Sequence, residues 1–336
     1  MNFEREKNQE IIQKYQDLRG LDMSSLDLSG IPVQVLNSTN FNTKTVWPSK
    51  ERLPTGFNPE IILKNSKNSG LGIEQLHNEG INGSGVAVAI IDQKLLIGHT
   101  EYRNSISQYD EIGEQNYGPQ MHGAAVASLL VGNECGVAPE AHLFYEAVPC
   151  GRNFHYFSMA LEKIINHNSS TKEKIRVVSC SVGYNKEQQE KGLKEWIKML
   201  KQAEKENIIV MHCSMQALDV LGCGNLDNKD DIEGFNDWLN SKDEQVQNTA
   251  LRVPIDYRTY ASYNGNNEYE YSAKGGLSWA MPYLTGIVCL MLQINPKLKN
   301  KEVFQYIRNG FKINKKGLRI INPRLIINSV IKNLPE

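Results

Sequence analysis

The sequence predicts an α/β fold: a largely parallel β-sheet with helices on both faces. Three observations carry this. Apolar, β-branched runs recur at 86–91 (VAVAII), 143–148 (LFYEAV), 175–182 (IRVVSCSV) and 207–213 (NIIVMHC). The first, VAVAII, is continuous rather than alternating, as a strand covered on both faces should be. Helical stretches stand between them, the order that builds parallel sheets through crossover connections.

Taken in order, residues 1–69 stand apart. MNFEREKNQEIIQKYQD is a charged, helical start, LRGLDMSSLDLSGIP follows, and a stretch rich in Asn, Thr, Ser, Lys and Pro runs to Gly70. The Leu spacing over 21–31 is like that of a leucine-rich or pentapeptide unit, but a single copy cannot support a solenoid, whose units bury their faces only against neighbours. This region is expected to be a prosegment-like or accessory element, and residues 70–336 the main domain. There VAVAII is the first strand, and His122 with the following GAAVASLLV reads as a helix with small residues on its packing face. A strand at 143–148, a helix at 155–167 and a strand at 175–182 follow. The charged amphipathic stretch 187–206 is the next helix, leading to the strand at 207–213. SWAMPYLTGIVCLMLQ at 278–293 is almost wholly apolar and reads as a buried helix, with Pro282 fitting near its start better than in its interior. A last helix is expected at 300–309.

Composition narrows the function. The chain has 336 residues, with 37 basic and 38 acidic side chains and a net charge of −1. Nucleic-acid binding depends on clustered Lys and Arg, so no nucleic-acid partner is expected, and Lys312, Lys315 and Lys316 read as a solvated surface. The acidic run NKDDIEGFNDW (228–238) likewise reads as a solvated loop. The charged N-terminus lacks the apolar core of an export signal, and VAVAIID and GIVCLMLQI are too short to cross a bilayer, so neither secretion nor a membrane association is expected. Six cysteines show no metal-ligand spacing, and Cys180 and Cys289 lie in apolar runs as reduced core thiols would. Together these features point to the cytoplasm.

Active sites of such sheets sit beyond the carboxyl ends of the strands. Asp92 ends VAVAII, where a carboxylate is costly without a partner, although it also reads as a loop cap. His122 opens the small-residue helix, where its ring can reach a cleft and Gly123 permits close backbone approach; a packed or surface histidine is the alternative. Ser278 follows Gly275, Gly276 and Leu277 at the mouth of the most apolar helix, whose free N–H groups suit an oxyanion, or it is a plain N-cap. A nucleophile, a base and an orienting carboxylate are what peptide hydrolysis needs.

The motifs around these residues separate the readings. GVAVAIIDQ, MHGAAVASLLVG followed by GVAPEAHLFYEAV, and GGLSWAMPYLTG continuing to QINP resemble the three catalytic segments of the subtilisin-like serine peptidases, from about Gly70 onward. The resemblance implies a subtilisin-like α/β fold, with Asp92, His122 and Ser278 as triad in the order Asp, His, Ser. VVSCSVGYN resembles the strand and turn lining the primary specificity pocket, which assigns substrate contact to Ser181, Val182 and Gly183. EAVPCGRNF resembles the opposite edge, near Gly151 and Arg152. An extended peptide would then add as a strand between them. The reaction requires no metal, and the structural calcium known in the family finds no ligand set here that can be named.

The match departs from the family at several positions. Gln93 and Lys94 replace a Gly after Asp92, Ala125 stands for a second His, and Leu277 for a Thr. The family's Ala-Gly-Asn, which supplies the oxyanion amide, is here HCSMQ, and Gln216 is the nearest side-chain amide. Its extra methylene moves the donors by about an ångström, and losing such a donor costs roughly 2.7–4 kcal/mol in the transition state. His212 or Ser214 are the alternatives. The resemblance therefore implies a serine endopeptidase acting on polypeptides, with a pseudoprotease that binds peptides or a partner protein as the rival. An α/β-hydrolase esterase is disfavoured, since G-x-S-x-G and the order Ser, Asp, His are missing. Residues 1–69 remain open as an inhibitory prosegment, an assembly element for a protein partner, or a substrate-recognition module.

Overall fold

Five-residue periodicity, which matches neither a strand nor a helix, shapes the first part of the chain. In the computed structural model, which describes residues 12–334 except 186, 188 and 238–248, DLRGL, DMSSL and DLSGI form three successive turns of one design. Asp17, Asp22 and Asp27 each accept a hydrogen bond from the backbone N–H two residues on, at 3.1, 2.9 and 3.0 Å. The next residues, Leu18, Met23 and Leu28, are buried, and their N–H groups donate to Asn40, Val46 and Arg52. Three copies are thus present where the Leu spacing suggested one. Most of the helical start expected for residues 1–17 lies outside the described residues.

The turns lead through α1 (Val33–Asn37) to β1 (Phe41–Asn42), then α2 (Pro59–Asn65) and α3 (Ile73–Asn78). The central sheet comprises β2 (Ala87–Asp92), β3 (Ile106–Glu111), β4 (His142–Ala147), β5 (Val177–Cys180) and β6 (Ile209–His212), all parallel, in the order β3-β4-β2-β5-β6. The helices α4 (Met121–Val131), α5 (Phe154–Ser170), α6 (Leu193–Lys205) and α7 (Leu277–Ile294) divide between its faces. Val88 and Ile90 share one apolar core with α4 and α7, whereas Ala87, Ala89 and Ile91 share another with α5 and α6. Alternation along β2 therefore feeds both cores, which is why its sequence is continuously apolar.

The helix α7 is long and apolar enough to cross a membrane by length and composition, but 78% of it is buried in the fold, as a core helix must be. Two further sheets are present among the described residues. One contains β7 (Val220–Gly224), β8 (Asn236–Asp237), β9 (Leu251–Pro254), β12 (Phe311–Ile313) and β13 (Arg319–Ile321), so the acidic run at 228–238 includes a paired strand. The other joins β1 to the hairpin of β10 (Arg258–Ala261) and β11 (Tyr269–Ser272). Helices α8 (Asn300–Asn309) and α9 (Pro323–Lys332) end the fold.

The β10–β11 hairpin runs directly into the segment bearing Ser278, and the N-terminal region holds it. Phe41 pairs with Tyr271, and the two rings lie 4.8 Å apart with Trp47 and Phe57 packed on Phe41. Arg19 bonds Glu270, and Ala273 donates to Asn40. Because Phe41 is fully buried at this junction, Phe41→Ala is expected to cost about 3–5 kcal/mol of unfolding free energy, measured by denaturant titration.

Candidate active site

Asp92 is the last residue of the central strand, so the loops after the flanking strands β4 and β5 stand on either side of it. It is buried, and its Oδ1 accepts from Gln93 N–H at 2.8 Å and lies 2.7 Å from His122 Nδ1. His122 occupies the first turn of α4. The helix approaches β2 closely because Gly123 has no side chain: a Cβ there would stand 2.4 Å from the Gln93 carbonyl oxygen and 2.7 Å from the Tyr145 hydroxyl. Burial disfavours the His122 imidazolium, but the charge and hydrogen bond of Asp92 outweigh this and raise its pKa above the ordinary 6.5.

Ser278 lies in the first turn of α7. Gly275 brings the chain there, since a Cβ on it would stand 2.0 Å from the Ile255 carbonyl oxygen. The next residue, Trp279, sets its indole 5.6 Å from the His122 ring. Ser278 Oγ donates to the Ser181 carbonyl at 3.3 Å rather than to His122. In return Ser181 Oγ donates to the Ser278 carbonyl at 2.8 Å. The sequence explains why that carbonyl is free: its helical donor would be residue 282, which is Pro282 and has no N–H. Pro282 therefore sits inside the helix, and Ser181 supplies the hydrogen bond it removes.

The segment after β5 carries the other expected contacts. The Val182 carbonyl accepts from Cys213 N–H, facing the chain after β6. Alternation turns the Ser181 and Gly183 carbonyls the other way, where they accept from Ser278 Oγ and from Arg152 Nη2 at 2.7 Å. Arg152 also donates through Nε to Glu190 at 2.6 Å. Gly151 and Arg152 thus lie across from Ser181, Val182 and Gly183, on the loop between β4 and α5.

The residues after β6 divide. Gln216 is exposed in the following loop. Ser214 Oγ is held by Tyr184, accepting from its N–H and donating to its carbonyl. His212 is buried and stacks on the Tyr184 ring at 5.5 Å, on the face opposite Met211 and α7. Burial pushes its pKa down to about 4, which keeps it neutral. Ser214 is therefore engaged by Tyr184, whereas the ring of His212 packs on Tyr184 with its buried Nδ1 unbonded, and the Ser278 N–H lies at the start of α7. Reading the sequence did not single out Trp279 or Tyr184. Among the described residues no cluster of His, Cys, Asp and Glu is arranged to hold a metal ion.

Residues 83–227 match the Subtilase family, a segment that contains Asp92 and His122 and ends before Ser278. No curated protein matches the chain. Among solved structures it is similar to the prenylagaramide maturation protease PagA, at 17% identity and a TM-score of 0.58 over 78% of this chain and 99% of that one. The A-subunit of the AB5 toxin from E. coli gives 14% identity and a TM-score of 0.58 over 78% and 98% of the two chains. A structure of the subtilase cytotoxin SubAB gives 14% and 0.56 over 79% and 95%. The fold is subtilisin-like.

Proposed function

From a chain with a subtilase segment in a subtilisin-like fold, and hence a peptidase-like protein, we propose a serine endopeptidase that cleaves polypeptides through Asp92, His122 and Ser278. The observation that carries this reading is the 2.7 Å Asp92–His122 pair at the end of the central strand, beside the helix that opens at Ser278. With Nδ1 held by the carboxylate, Nε2 is the ring nitrogen left to take a proton. Ser278 Oγ turns from the Ser181 carbonyl to His122, gives up its proton and attacks the scissile carbonyl carbon. The resulting oxyanion meets the Ser278 N–H and the positive end of α7. The protonated His122 then gives its proton to the leaving amine, and water repeats the sequence on the acyl-enzyme. PagA, by its name, is a maturation protease.

The hydrogen bond of Ser278 to Ser181 favours a second reading, a peptide-binding pseudoprotease. Intact-protein mass spectrometry after fluorophosphonate treatment decides between them. An adduct on Ser278, absent from Ser278→Ala, supports the endopeptidase; no adduct on folded protein, where a control serine peptidase is fully labelled, supports the pseudoprotease.

The base must be neutral to accept a proton, and the pKa of His122 is raised. The rate kcat/KM is therefore expected to fall with decreasing pH along an acid limb centred above 6.5, read from a pH–rate profile. The stability effect has the opposite sense. The charged pair stabilises the fold fully below the unfolded value, and this contribution is lost as pH rises through the higher folded value.

A further inference from the structure

Both outward carbonyls of the 181–183 edge are already occupied by the protein's own donors, Ser181 by the Ser278 hydroxyl and Gly183 by Arg152. A peptide adding as a strand along this edge must replace both with its own N–H groups. At Ser181 the exchange frees the nucleophile's hydroxyl for His122. At Gly183 it frees a guanidinium that bridges the loops after β4 and β5, strands that flank β2 and Asp92. Arg152 keeps one tie, from Nε to Glu190, which fixes the plane of its fork. Its side chain is 55% exposed, so the Nη1 and Nη2 edge is open to a ligand, whereas the Glu190 side chain is only 11% exposed and anchors it. A planar pair of N–H donors held by a carboxylate behind it matches a second carboxylate in front, in the bidentate manner.

We propose that Arg152 is a specificity-determining residue that selects peptides bearing an acidic side chain where the bound strand passes Gly183. This rests on the peptide-cleft reading above, and on the hydrogen bond from Arg152 Nη2 to the Gly183 carbonyl, which a neutral peptide would break without replacing. An Asp or Glu restores the lost donor contact, so the exchange at Gly183 proceeds with no guanidinium hydrogen bond forfeited. Peptides carrying Lys at the same position meet repulsion instead. The hydroxyl of Ser278 is released by the backbone of any peptide, so selection acts on binding rather than on the chemical step.

The test is fluorescence-anisotropy titration of the full chain carrying Ser278→Ala with octapeptides that differ only by Asp, Asn or Lys at a scanned position. At one position Asp is expected to bind about tenfold more tightly than Asn, the effect of one charge-assisted hydrogen bond. Adding Arg152→Ala should erase the difference, and Arg152→Glu should reverse it in favour of Lys, a gain that misfolding cannot produce. An unchanged Asp-to-Asn ratio in Arg152→Ala overturns the proposal. So does equal tightening of all three peptides, which would make Arg152 a plug rather than a selector, and so does the absence of peptide binding. Cleavage by the chain with Ser278 intact is read separately. A retained acidic preference without turnover supports the role of Arg152 while removing the endopeptidase reading.

Discussion

Ser278→Ala is expected to lower kcat by on the order of 10⁶ and to leave only the weak acceleration of an oxyanion site without a nucleophile. The structure makes this substitution a clean one. Ser278 lies in the first turn of α7, where alanine is readily accommodated, and its hydroxyl makes one hydrogen bond, the 3.3 Å contact to Ser181. The reciprocal bond, from Ser181 Oγ to the Ser278 carbonyl, uses backbone that alanine retains. Stability should therefore change by no more than about 1 kcal/mol, so lost activity reports chemistry rather than unfolding. The check is kcat on a quenched-fluorescence peptide alongside thermal unfolding of both proteins. If the variant keeps even a hundredth of the turnover, another residue is the nucleophile.

Asp92→Asn is expected to lower kcat by roughly 10⁴. Asparagine has the same shape, and the position is buried at the end of β2, so packing is preserved. What changes is the partner of His122 Nδ1. The amide presents either a donor or an uncharged acceptor to the ring, so the tautomer with a free Nε2 lone pair is no longer enforced. The substitution also removes the charge that raises the His122 pKa, so burial then dominates and the acid limb should move to lower pH. The kinetic loss and the displaced limb must occur together. A loss without the displacement would mean that Asp92 acts through the position of the loop at Gln93, whose N–H it also accepts.

Much of the central sheet was legible in the sequence because its strands are covered on both faces and their apolar runs are continuous. Strand β3 escaped notice: ISQYDE lies at the sheet edge, mixes polar with apolar residues and gives no such run. The sheet of β7, β8, β9, β12 and β13 escaped for another reason. Its strands are short, and β9 carries the buried Arg252, which no hydropathy pattern marks as core. Asp92, His122 and Ser278 were identified by motif order, and the structure brings the first two into a hydrogen bond. The hydroxyl of Ser278 on Ser181 was not anticipated, although its companion bond had a signal. Proline four residues after Ser278 leaves that carbonyl without a helical donor, so a nearby hydroxyl was to be expected. The pentapeptide-like spacing was noticed as one copy but not as three Asp-led turns, because a five-residue period falls outside the two periods by which strands and helices are recognised.

The docking of β1 on β11 also sets an order of events during synthesis. Residues 12–66 are made before the β11 partners of Phe41 and Arg19, Arg19 and Glu270 being 251 positions apart. Until those partners appear, Phe41, Trp47 and Phe57 can pack on one another and on Leu18, Leu28 and Leu36, but the face that meets Tyr271 and Ala273 is uncovered. Closing so long a loop is slow, and the waiting surface is open to wrong contacts. The segment ahead of the nucleophile is thus fixed against the N-terminal region only after residue 273 has been made, and the cleft beside it acquires its final shape no earlier.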